Sequence, residues 1–142
     1  MDVHESIGLA IFFLTALRIT WRCFDPAPPY SASVRPWTRR TARLVHLGLL
    51  GVMIIMPGSG FLWATGHAHA VMPFGLIHFP RIAFGYRALG DAAETVHLIS
   101  QWILYGLITL HLAGVSYHLV VKRDNPLARM LPPQTIEHTE GQ

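Results

Sequence analysis

The sequence predicts an all-α membrane protein with three transmembrane helices, and three observations lead there. Charged residues make up 13% of the 142-residue chain, about half the roughly 25% of an ordinary soluble domain. Hydrophobic residues make up 51%, and the mean hydropathy is +0.37. A soluble fold so poor in charge could not cover its surface, whereas a chain in hydrocarbon needs no such cover. The apolar residues are also gathered into long runs: no Lys, Arg, Asp or Glu occurs between Arg43 and Arg81, or between Glu94 and Lys122.

The first span covers residues 3–21 (VHESIGLAIFFLTALRITW). Glu5 and Arg18 lie near its two ends, where both can reach the headgroup level. It has neither the basic leading region nor the small-residue cleavage motif of a signal peptide, so it reads as a spanning helix. A proline-rich connection at residues 25–40 cannot be helical throughout. The second span, residues 44–64 (LVHLGLLGVMIIMPGSGFLWA), meets the requirement of about 20 residues for crossing the bilayer. Its Pro57, Gly58 and Gly60 predict a kink or local unwinding. Residues 66–94 connect to the third span, with the apolar stretch around 74–86 expected to lie on the bundle as a hairpin or short helix. The third span covers residues 95–121, long enough to cross with some tilt. The chain reads as one transmembrane domain over residues 1–133 and a disordered tail over 134–142.

The net charge of +3 and pI near 9.5 do not indicate nucleic acid, because of where the charges lie. Six of the eleven basic residues fall between Arg18 and Arg43, and Lys122, Arg123 and Arg129 follow the last span. Clusters flanking apolar runs fit membrane topology better than a phosphate-binding face. The same rule puts residues 22–43 and the C-terminus in the cytoplasm, and the amino terminus and residues 66–94 outside. Cys23 is the sole cysteine, which excludes an intramolecular disulfide and a multi-cysteine metal site. No dinucleotide or P-loop glycine motif, HExxH motif or GxSxG elbow occurs.

Nine histidines are present, and several lie in or at the ends of the spans, where ionisable groups are costly. His4 opens the first span, His46 lies near the start of the second, and His97, His111 and His118 lie on the third. His97 and His111 are 14 residues apart, which is about 21 Å along a helix and returns to within about 40° of the same face. One helix thus presents two imidazoles at two depths, a spacing that suits two stacked haems b and not one zinc ion. His4 shares the outer depth of His97, and Gly8, one turn on, leaves room for a flat macrocycle. Gly106 and Gly114 could do the same around His111. The alternative for His4 and His97 is hydrogen bonding at the interface.

For His111, His46 is available by depth although its facing is not fixed. His118 lies nearer the surface, and a partner from outside this chain is a further alternative. Arg18 repeats the face of His4 near the depth of His111, so Arg18 or Arg22 could pair with haem propionates or simply snorkel. Trp21 and Trp63 fit interfacial anchoring, Trp102 fits packing, and Met53 and Met56 read as apolar filler. His67, His69 and His78 form a weak metal motif in the outer segment.

Three segments together resemble the bacterial cytochrome b561 family of small di-haem membrane proteins: VHESIGLAIFFLTALRITWR at residues 3–22, the 44–64 helix, and ETVHLISQWILYGLITLHLAGVSYHLVVKRDNPLARMLP at residues 94–132. The resemblance covers residues 3–133. It implies a four-helix bundle in the bacterial inner membrane that holds two bis-histidine haems b. It implies electron transfer between the quinone pool, such as ubiquinone, and a small redox partner, which in some members is superoxide. His4 and His97 correspond to the outer-haem ligands, and His111 to one inner-haem ligand. The family's first helix, which supplies the other inner ligand, has no counterpart here, so the expected architecture is a partial four-helix bundle. The expected cause is a sequence that starts at an internal Met; a three-helix form is the alternative.

The function expected is one-electron transfer by a membrane b-type cytochrome, alone, as a homodimer or with a respiratory partner subunit. Glu5, Glu94 and His46 are weak candidates for proton handling at a quinone. The rivals are a haem-binding anchor subunit of a larger respiratory dehydrogenase and a haem-free structural or metal-transport membrane protein.

Overall fold

A computed structural model describes residues 2–26, 35–76, 79 and 86–122. Three long helices dominate: α1 (Asp2–Phe24), α2 (Pro36–Gly66) and α3 (Arg87–Val120). One 3₁₀ turn, Pro73–Gly75, lies between α2 and α3. Each long helix contains a window long and apolar enough to cross a bilayer, so the chain is an all-α, multi-pass membrane protein. The expected tail lies outside the described residues, as does most of the apolar stretch at 74–86.

Two helix boundaries differ from the sequence expectation. α2 starts at Pro36, eight residues before the apolar run; a proline suits the first helical position, where its fixed φ is already helical and its missing N–H is not needed. α3 starts at Arg87, so the charged residues 87–94 extend the helix and the outer connection is shorter than expected. Pro57 lies inside an unbroken α2. Near it, Ser59 Oγ donates to the Met56 carbonyl at 2.8 Å. Nearly two turns further on, Thr65 Oγ1 donates to the Phe61 carbonyl at 2.8 Å. Such hydroxyls serve backbone acceptors where water is absent.

The packing is the reverse of a soluble protein's. Buried positions are small or polar, among them Ser6, Thr15, Ser59, Thr65, Ala93 and Ser100, while Leu14, Leu17, Leu47, Ile55, Ile103 and Trp102 face outward. Small residues let helix backbones approach in lipid, where large apolar side chains gain nothing from burial. Trp102 therefore belongs to the lipid-facing surface rather than to helix packing.

α2 runs antiparallel between its neighbours and packs against both, and no packed seam joins α1 to α3 among the described residues. α2 and α3 meet most closely where α2 ends and α3 begins, and a Cβ on Gly66 would lie 2.7 Å from the Gly90 Cα. Beyond α2 the chain turns through Ala68, Phe74 and Gly75, all at positive φ. This segment returns to α1, and the fully buried Ser6 Oγ accepts the Phe74 N–H at 2.8 Å. Val71 is 1% exposed beneath it.

Candidate functional site

The gap between α1 and α3 holds an apolar cavity of about 660 Å³, floored by α2, within the usual range of about 300–1,000 Å³ for ligand pockets. Ile7, Leu9, Met53, Phe61 and Leu104 supply much of its wall, and His4 and His97 face it from opposite helices. Their ring centroids are 6.2 Å apart and their planes cross at 79°. A metal–imidazole bond is about 2 Å and a ring nitrogen lies about 1 Å from its centroid, so imidazoles on opposite sides of one metal atom have centroids about 6 Å apart.

His97 is the one buried histidine among the described residues. Its Nδ1 lies 2.8 Å from the Met56 carbonyl. A carbonyl oxygen can only accept, so Nδ1 carries the proton and the Nε2 lone pair is left for a ligand. A backbone acceptor behind a histidine commonly sets its tautomer and ring direction at metal centres. Gly60 makes this seat possible, since a Cβ there would lie 2.9 Å from His97 Cε1 and 3.0 Å from Nδ1. Trp63 completes it, with its ring centroid 5.8 Å from that of His97. Gly8 also borders the cavity, and the nearest atom to a Cβ there would be Pro57 Cβ at 3.9 Å.

The opposite end of the bundle carries a second imidazole pair. His46 and His111 have ring centroids 5.3 Å apart at 61°, and Arg18 lies within electrostatic reach of His46. Neither histidine borders the cavity described above. Gly106 and Gly114 have no neighbour within 4 Å of an added Cβ, so they face outward among the described residues.

The histidines between α2 and α3 separate. His69 Nε2 pairs with Glu5 at 3.2 Å, His67 Nε2 pairs with Asp91 at 3.0 Å, and His78 lies outside the described residues. Sequence reasoning missed the roles of Gly60, Trp63 and the Met56 carbonyl. Trp63 had been assigned to the interface and Met56 to filler. The only signal for Gly60 was the MPGSG run, which pointed to a kink rather than to a partner on α3.

Fold and site together define a membrane-embedded helical protein with cross-helix histidine pairs at two depths, the His4–His97 pair facing an apolar pocket. The family model for prokaryotic cytochrome b561 matches residues 1–133. Cytochrome b561 homolog 2 of Escherichia coli (strain K12) is 29% identical over 130 residues, covering 92% of this chain and 69% of the relative. A probable superoxide oxidase CybB of Yersinia pestis is 30% identical over 132 residues, covering 92% and 73%. Cytochrome b561 homolog 1 of Escherichia coli (strain K12) is 26% identical over 137 residues, covering 92% and 74%. The chain belongs to the prokaryotic cytochrome b561 family, and its described residues include three helices long and apolar enough to cross a bilayer. That membership places it among electron-transfer proteins.

Proposed function

We propose that the chain holds haem b between His4 and His97 and carries single electrons between membrane quinone, such as ubiquinone, and a small redox partner. The observation that carries this reading is the imidazole pair facing one apolar cavity, with the His97 Nδ1–H tied to the Met56 carbonyl. The residues fit the group: two imidazoles with ring centroids 6.2 Å apart, and a pocket whose close wall at Gly60 has no side chain. Bound haem supplies a reversible one-electron couple. His4 and His97 hold it, and the apolar walls exclude water and so set its potential.

His111 is the candidate ligand for a second haem, completed by His46 or by a histidine from outside this chain, with Arg18 as the propionate partner. The His46 and His111 rings are closer than those of His4 and His97 and would have to open by about 1 Å. Superoxide is a natural small donor, since a relative bears the name of a probable superoxide oxidase; loss of one electron converts it to dioxygen. The reading places the protein in a bacterial inner membrane with residues 22–43 cytoplasmic, alone, as a homodimer or beside a respiratory subunit.

The test is a reduced-minus-oxidised spectrum of the detergent-purified chain, with His97→Ala and His4→Ala beside it. The expected result is a b-type α band that each substitution removes or shifts, with partial recovery when free imidazole is added to His97→Ala. Absence of the band from the unsubstituted protein, or an unchanged band in both variants, overturns the proposal.

A further inference from the structure

At the outer junction of α2 and α3, His67, Asp91 and Glu94 each offer one ligand atom, and these atoms all lie within 4.8 Å of one another. His67 Nε2 and Asp91 Oδ1 are already 3.0 Å apart. We propose that this trio is a divalent-cation site, suited to Zn²⁺, that clamps the outer ends of the two helices. It does not depend on the haem reading.

The arrangement is more than two surface side chains meeting. His67 is the first residue beyond α2, and its backbone N–H is bonded to the Trp63 carbonyl at 3.2 Å. Its Nδ1 lies 3.0 Å from the same carbonyl, which turns Nε2 toward α3 in the manner of second-shell partners at zinc centres. The ring sits over Gly90, where a Cβ would lie 3.0 Å from His67 Nδ1. The Gly66–Gly90 contact fixes the two backbones. Asp91 and Glu94 are three residues apart on α3 and so share a face.

One imidazole and two carboxylates match zinc's donor set, with bonds of about 2.0–2.2 Å. Ligand atoms around such an ion stand about 3.3–3.5 Å apart, so the 3.0 Å His67–Asp91 pair opens slightly and the other separations, all within 4.8 Å, draw in to that value on binding. The side chains of His67 and Asp91 are 32% and 63% exposed, leaving a path for the hydrated ion and a fourth position for water. Imidazole also argues against Mg²⁺ and Ca²⁺, which prefer oxygen donors throughout.

The experiment titrates Zn²⁺ into the chelator-stripped full chain in detergent micelles by calorimetry, with bound zinc counted by elemental analysis and Co²⁺ as a visible-absorption probe. The expected result is one Zn²⁺ per chain, weakened at least about tenfold by Asp91→Asn or Glu94→Gln and lost in His67→Ala, with helical circular dichroism unchanged in all three. Zn²⁺ should also raise the melting temperature of the unsubstituted chain but not that of His67→Ala. Equal binding by the Asp91→Asn/Glu94→Gln double variant overturns the proposal. So does loss of binding in His69→Ala with retention in Asp91→Asn, which would move the ion to the His67–His69 pair.

Discussion

Replacing Gly60 by alanine tests the seat of His97 without touching either histidine. The new Cβ would lie 2.9 Å from His97 Cε1 and 3.0 Å from Nδ1. Ordinary carbon contacts are about 3.5–4.0 Å, so the ring must retreat by about 0.5–1 Å. It cannot do so freely, because Nδ1 is held 2.8 Å from the Met56 carbonyl and such a bond fails beyond about 3.2 Å. Losing it costs about 0.5–1.5 kcal/mol, and overpacking typically costs about 1–3 kcal/mol. Together they weigh about 2–4 kcal/mol against the ligand-ready geometry. Alanine also favours the helix over glycine by about 1 kcal/mol. Gly51→Ala receives the same gain, and no atom lies within 4 Å of its Cβ, so comparing the two substitutions isolates the steric effect. At about 1.4 kcal/mol per factor of ten, Gly60→Ala should bind haem between about 30-fold and several hundred-fold more weakly than Gly51→Ala. Haem titrated into the two apo-proteins in detergent, followed by absorbance, gives the ratio. Affinities within about threefold of each other would refute the geometric reasoning, because 0.7 kcal/mol or less, roughly, would then separate them.

Gly66→Ala sets a Cβ 2.7 Å from the Gly90 Cα; backbone cannot rotate away, so the end of α2 and the start of α3 should part. A loss of about 2–4 kcal/mol in denaturant unfolding is expected, and an unchanged midpoint would count against the close crossing. Ser6→Ala removes the acceptor of the Phe74 N–H; the orphaned donor should cost about 1–3 kcal/mol. Hydrogen exchange should then rise across residues 68–76 while the middle of α2 stays protected, and uniform protection would contradict that anchoring role. His111→Ala should leave the His4–His97 spectral signal in place, since His111 does not border that cavity. Complete loss of haem from a helical His111→Ala protein would break the separation of the two sites.

How far the sequence could be read follows from what each inference needs. The spans needed only uncharged runs, and all three are helices. The start of α3 was missed because RALGDAAETV is charged yet helix-favouring, and hydropathy marks where lipid begins rather than where a helix does. The depth match of His4 with His97 was legible because depth follows from counting residues along a rod. Rotation about that rod was not legible. Trp63 and His46 lie on a helix apolar around its circumference, so nothing local states which neighbour they face. The contact of Trp63 with His97 and that of His46 with His111 emerge only once α2 lies between the other two helices. Gly60 was hidden for a related reason, since the ring that needs its bare backbone is far away in sequence.

The missing seam between α1 and α3 bears on assembly. α1 leans on one full-length neighbour, and its other flank reaches α3 through an imidazole of its first turn. A disc clasped there would give α1 its second point of attachment, so cofactor capture and docking of α1 become a single linked equilibrium. The tightness with which the guest is held then measures how firmly the rod beside it stays in place.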